Sequence, residues 1–199
     1  MKRLALILIS LAVISGCTSE TPQQASKPEP PELLTGRSAF QKLYVTARGW
    51  APDVRPYELQ SGVVGENKGH DGKAVLWSAS FASAAIHTSK PYTWSGIDAQ
   101  DAPARGVSQG TQDTSFTPTN TFDMQFLKVD SDKAFEVAQK HGGEEILHKK
   151  ADTPVLYRLD WNRTGNNLVW HVMYGGTGPD AQLTADVDAT TGEFLRKEK

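Results

Sequence analysis

Gly106-Val107-Ser108-Gln109-Gly110 has the Gly-x-Ser-x-Gly spacing of serine hydrolases. That chemistry needs the serine on a strained strand-to-helix turn, with an acid and a histidine downstream. The flanking residues argue against it. Asp101-Ala102-Pro103-Ala104-Arg105 is no buried strand, and Thr111-Gln112-Asp113-Thr114 is no helix. A serine hydrolase using Ser108 is therefore the alternative reading. His70, His87, His141, His148 and His171 are scattered, and no pair has zinc-ligand spacing on one element. Asp186-x-Asp188-x-Thr190-x-Gly192 resembles the start of a calcium loop, but that loop needs glycine at its sixth position and glutamate at its twelfth, where Thr191 and Lys197 stand. No metal site and no cofactor is expected.

Cys17 is the one cysteine. Met1-Lys2-Arg3 gives a positive start, Leu4 to Ile14 an apolar run, and Ile14-Ser15-Gly16-Cys17 a small-residue close. This is the pattern of a secretory signal, with an apolar run shorter than the ~20 residues that span a bilayer. The Ile-Ser-Gly-Cys tetrad resembles the lipobox of bacterial lipoproteins. The resemblance implies cleavage before Cys17 and acylation of both its sulfur and its amine. Each buried methylene adds about 0.8 kcal/mol, so several chains anchor stably. An Asp after the cysteine resembles an inner-membrane retention signal. Thr18 stands there instead, which points to the outer membrane, facing the periplasm. With its thiol lipidated, the chain has none left for a disulfide or for catalysis.

Residues 1–16 contain Lys2 and Arg3 and no acids, so the mature chain has 21 − 2 = 19 basic and 23 acidic residues, a net −4. That balance argues against a nucleic-acid partner. The proline-rich, polar residues 17–35 read as a lipidated cysteine and its tether.

Beyond the tether, Phe40, Leu43, Tyr44 and Ala47 recur at helical spacing after a Ser38-x-x-Gln41 capping box. Tyr57, Leu59, Ser61 and Val63 alternate as a strand, Ala74 to Phe81 forms another, and Tyr92 to Trp94 a third. Residues 98–120 lack periodicity and read as a long loop. Phe122, Met124 and Phe126 read as a strand before a helix that begins at Asp130-Ser131-Asp132, buries Ala134, Val137, Ala138 and His141, and stops at Gly142-Gly143. Val155 to Trp161, Leu168 to Tyr174 and Leu183 to Ala189 then alternate, with Thr184, Asp186 and Asp188 expected to face water.

The helix segment Ala-Phe-Glu-Val-Ala-Gln-Lys, the strands Val-Leu-Tyr-Arg-Leu-Asp-Trp and Leu-Val-Trp-His-Val-Met-Tyr, and the closing Val187 to Leu195 resemble a PepSY domain. The match covers roughly residues 130–197, and residues 37–97 repeat its layout more weakly. The resemblance implies an α+β fold and a non-enzymatic envelope protein that binds a protein or peptide, as an inhibitor or chaperone of a peptidase. It carries no catalytic residues. The fold expected is α+β, two PepSY-like units of a helix on a small antiparallel sheet, at 36–97 and 121–199. Trp50, Trp77, Trp94, Trp161 and Trp170 are the candidate binding residues of an aromatic cleft between the units. A small apolar ligand held there is a further alternative.

Overall fold

The computed structural model describes residues 29–111, the backbone of 114–115, and 120–199. Cys17 and its signal lie outside the described residues.

Strand β1 (Leu34–Thr35) leads into helix α1 (Gly36–Trp50). There follow β2 (Arg55–Gly62), β3 (Lys73–Ala74), β4 (Leu76–Ser83), β5 (Thr88–Ser95), β6 (Gly106–Gln109) and β7 (Thr114–Ser115). The second half holds α2 (Ser131–Ala138), α3 (Glu144–Lys149), β8 (Val155–Asn162), β9 (Asn167–Tyr174), β10 (Leu183–Asp188) and β11 (Phe194–Glu198). All but β1 and β3 join one antiparallel sheet in the order β11-β10-β9-β8-β2-β4-β5-β6, and β7 pairs further along β5.

This corrects the expectation of two α+β units. The strands of both halves fuse where Glu58, Leu59 and Gln60 pair with Asp160, Leu159 and Arg158. The protein is mostly sheet, with one long helix and a single continuous core. The physical reason lies in alternation, which says which face a residue occupies but not which strand lies beside it. The two inner strands pair with each other because each would otherwise leave a row of backbone groups unpaired.

One apolar row crosses the sheet in register: Tyr92, Ala79, Leu59, Leu159, Trp170, Val187 and Phe194. Both α1 and α2 cover this face. Phe40 of α1 stacks on Phe81 and Phe122 at 5.6 and 6.0 Å between ring centroids. At the centre Trp77 and Trp170, both fully buried, meet edge-on at 6.4 Å. Their indole N–H groups donate to the backbone just before each helix, Trp77 to Leu34 O and Trp170 to Val129 O, both at 2.9 Å. Gly36 opens α1 against them, and a Cβ there would stand 2.5 Å from Trp170.

The helix starts meet at Asp130 and Ser131. Asp130 Oδ1 accepts from Arg37 N (2.8 Å) and Ser131 N (2.7 Å), while buried Ser131 Oγ accepts from Gly36 N (2.7 Å) and donates to Gly72 O (2.6 Å). One aspartate thus caps its own helix and satisfies a free N–H of the other. α1 begins two residues before Ser38, after Thr35, so the expected capping box does not form.

Three further local expectations are corrected. Met124–Phe126 is a 3-10 turn, not a strand. Gly142-Gly143 does not end the second helix. The chain makes a π turn over Gln139–Gly143, with Gly142 at φ 121°, and continues as α3 while His141 stacks on Phe194 at 3.6 Å. The expected loop 98–120 contains β6 and β7, which a four-residue and a two-residue strand were too short to announce.

Candidate functional site

The edge strand β6 and helix α1 form the first candidate. Val107 lies opposite Trp94 of β5, so it points to the helix-covered face. α1 packs over β2, β4 and β5 and only brushes β6, leaving a groove of about 590 Å³ between Val45 of α1 and Val107 of β6. Trp94 forms part of its lining, and Lys42, Glu32 and Arg105 also border it. Val45 is 73% exposed and Val107 38%. Among the described residues no strand pairs with the outer edge of β6. A strand added there would place alternate side chains over Val107 and against Val45, extending the core layer outward.

The opposite face of the sheet is polar, and among the described residues no helix packs on it. Ser108, Thr93, Ser78, Gln60, Arg158, His171, Asp186 and Arg196 form one register row across eight strands. Over its second half the row becomes a ladder of alternating charge. Glu58 meets Arg158 (3.1 Å), Arg158 meets Asp160 (2.9 Å), and Asp160 meets His171 Nε2 (3.4 Å). His171 Nδ1 meets Asp186 (2.6 Å), Asp186 meets Arg196 (2.8 Å), and Arg196 meets Glu198 (3.3 Å). Burial alone would push the His171 pKa down, but hydrogen bonds to Asp160 and Asp186, and their charges, raise it to about 9. His171 is therefore an imidazolium at neutral pH, donating from both nitrogens. Burial would raise the Asp186 carboxyl, yet His171 and Arg196 hold it below the usual carboxylate range. Asp186 is only 4% exposed, which corrects the expectation that it faces water. Asp188 is also buried, accepting from Asn167 Nδ2 (2.8 Å) and from Thr190 N and Thr191 N. Both carboxylates of the calcium-like stretch are thus engaged by this chain's own groups. Among the described residues no cluster of His, Cys, Asp or Glu has the makings of a metal site.

The five tryptophans do not line a common cleft. Trp77, Trp94 and Trp170 are core residues, and Trp94 alone reaches the α1–β6 groove. Trp161 tilts against Phe126 at 5.3 Å, and Lys90 Nζ lies 4.9 Å over Trp50. Three of the five indoles expected to line a cleft, Trp77, Trp94 and Trp170, are instead buried in the shared core, while Trp50 and Trp161 are partly buried at its margin. Of the other histidines, His70 Nε2 bonds Thr153 O (3.0 Å), His87 sits exposed in the β4–β5 turn, and His148 is exposed on α3.

Ser108 lies within β6 rather than on a strand-to-helix turn, and its Oγ donates to Thr93 O (3.4 Å). The expected result with a serine-directed fluorophosphonate is equal, background labelling of wild type and Ser108→Ala. Labelling lost in the variant would restore the nucleophile reading.

No family model matches the chain. The PepSY resemblance therefore has no support from that comparison. None of the curated proteins matches it either. One solved structure, of a lipoprotein candidate from Clostridium difficile 630, aligns with a TM-score of 0.49 at 10% identity, covering 80% of this chain and 91% of that one. A likeness at that level carries no argument about this chain.

Proposed function

We propose that the protein is a non-enzymatic lipoprotein of the bacterial envelope, acylated on Cys17, whose domain binds an extended segment of another protein along the edge of β6. The observation that carries the binding reading is the edge of β6, unpaired among the described residues, beside the groove between Val45 and Val107. Main-chain hydrogen bonds from such an edge supply affinity, and the pocket between Val45 and Val107 selects the side chain that enters it. An aliphatic residue matches that lining. The anchor reading is supported by the signal pattern ending at Cys17. Among the described residues no helix is long and apolar enough to cross a membrane.

The test places a photo-crosslinking amino acid at Val107 of the full chain in cells. One envelope protein should be captured reproducibly, Val45→Glu should abolish capture, and the same probe at Leu195 on the opposite edge strand should capture nothing. Equal capture at positions 107 and 195 would overturn the reading.

A further inference from the structure

Where the described chain enters the domain, it is held on both sides. Arg105 Nη2 donates to the carbonyls of Glu29 (3.2 Å) and Pro30 (2.9 Å), and its Nε lies 3.7 Å from the Glu29 carboxylate. Glu32 N donates to Gly96 O at 2.8 Å. Beside this entry lies a cup of about 430 Å³. The entering segment itself, through Pro31 and Leu33, lines it together with Val64, Val75 and Ile97, and Glu66 also borders it. Leu33 is 44% exposed and the neighbouring Val63 40%. Val75 is buried at the floor of the cup, Val64 and Ile97 are half-buried on its wall, and Leu33 is the exposed apolar residue at its rim.

We infer that the rim of this cup rests on the phospholipid bilayer to which Cys17 is anchored, with the exposed Leu33 side chain entering the interfacial region. The inference rests on the lipoprotein reading. Its independent support is where the chain leads. Only residues 18–28 separate Cys17 from Glu29. Those twelve steps span at most about 40 Å fully extended, at about 3.3–3.6 Å each. Arg105 fixes the entering chain at Glu29 and Pro30, and Pro31 and Leu33 of the cup follow directly, so the cup lies where the tether joins the domain. Tethering makes the contact intramolecular, so a surface too weak to bind vesicles in free solution is still occupied. The mature chain's net −4 gives no general attraction to an anionic surface, which leaves apolar burial as the available term.

The test uses the full lipidated chain in phospholipid vesicles. Because lipid consumes the sole native thiol, Leu33→Cys and Arg163→Cys each offer one site for a nitroxide. The label at 33 should collide with oxygen, relative to a water-soluble nickel complex, several-fold more often than the label at 163, which sits in the exposed β8–β9 turn. Equal, water-like ratios at both sites would overturn the inference. So would an apolar molecule released from the cup on denaturation together with a water-like ratio at 33. Wild type taking up label, with no acyl mass on its N-terminal peptide, would refute the anchor reading instead.

Discussion

Trp170→Ala should lower the free energy of unfolding by about 3–5 kcal/mol, the range for removing a large buried aromatic. The indole is fully buried, packs edge-on against Trp77 at 6.4 Å, abuts Gly36, and donates to Val129 O. Truncation opens a cavity at the junction of both helices and both halves of the sheet, and leaves the Val129 carbonyl without its donor. Surrounding backbone cannot collapse into the gap, because Gly36 and Ser131 are pinned to each other. Urea unfolding followed by circular dichroism is the measurement, with Trp161→Ala, a half-buried residue, as the comparison. A loss below about 1 kcal/mol, the scale of a single hydrogen bond, would mean that this junction does not hold the halves together.

The second large effect is on pH dependence. His171 titrates near 6.5 when unfolded and near 9 in the fold. Below pH 6.5 both states hold the proton, and the ladder's contribution is fully present. Between 6.5 and about 9 the native state keeps a proton that the unfolded chain has lost, so stability falls as pH rises through that window. At 1.36 kcal/mol per pH unit the full loss is about 3 kcal/mol. Burial keeps Tyr174 protonated beyond the ordinary phenol range, so its own effect begins only above pH 10 and does not overlap this window. Asp160 and Asp186 act oppositely: their carboxyls are held below the usual range, so their contribution is lost as pH falls below about 4. The expected profile is a plateau between roughly pH 4 and 6.5 with a decline on either side. His171→Gln should abolish the decline between 6.5 and 9, read as the urea midpoint against pH. An unchanged decline in the variant would assign it to another group.

How much of this was legible beforehand varies by element. The buried stripe of Phe40, Leu43 and Ala47 and the alternation of Val155 to Trp161 reported local periodicity, and those elements stand where expected. The β2–β8 seam was invisible, since pairing is set by strands a hundred residues apart rather than by any local pattern. Asp186 read as water-facing for the same reason, because its partners His171 and Arg196 come from neighbouring strands. The tryptophans stood out by type, but type alone cannot separate a core indole from a binding one. Val107 lay inside the hydrolase-like pattern, and nothing marked it as an edge valine beside a groove. The exposed Val45, off the buried stripe of its own helix, was the one available signal.

The seam also sets an order of events. Glu58 pairs with Asp160, 102 residues further along. Whenever the amino-terminal strands become free to fold, the inner edge of β2 stays unpaired until residues 158–160 reach it. Until then the amino-terminal strands form a sheet open along β2 and along β6, a template for wrong partners. Contacts so distant in the chain also make folding slow once synthesis ends. The chain is therefore most exposed to wrong pairing in the interval before Arg158, Leu159 and Asp160 close the seam.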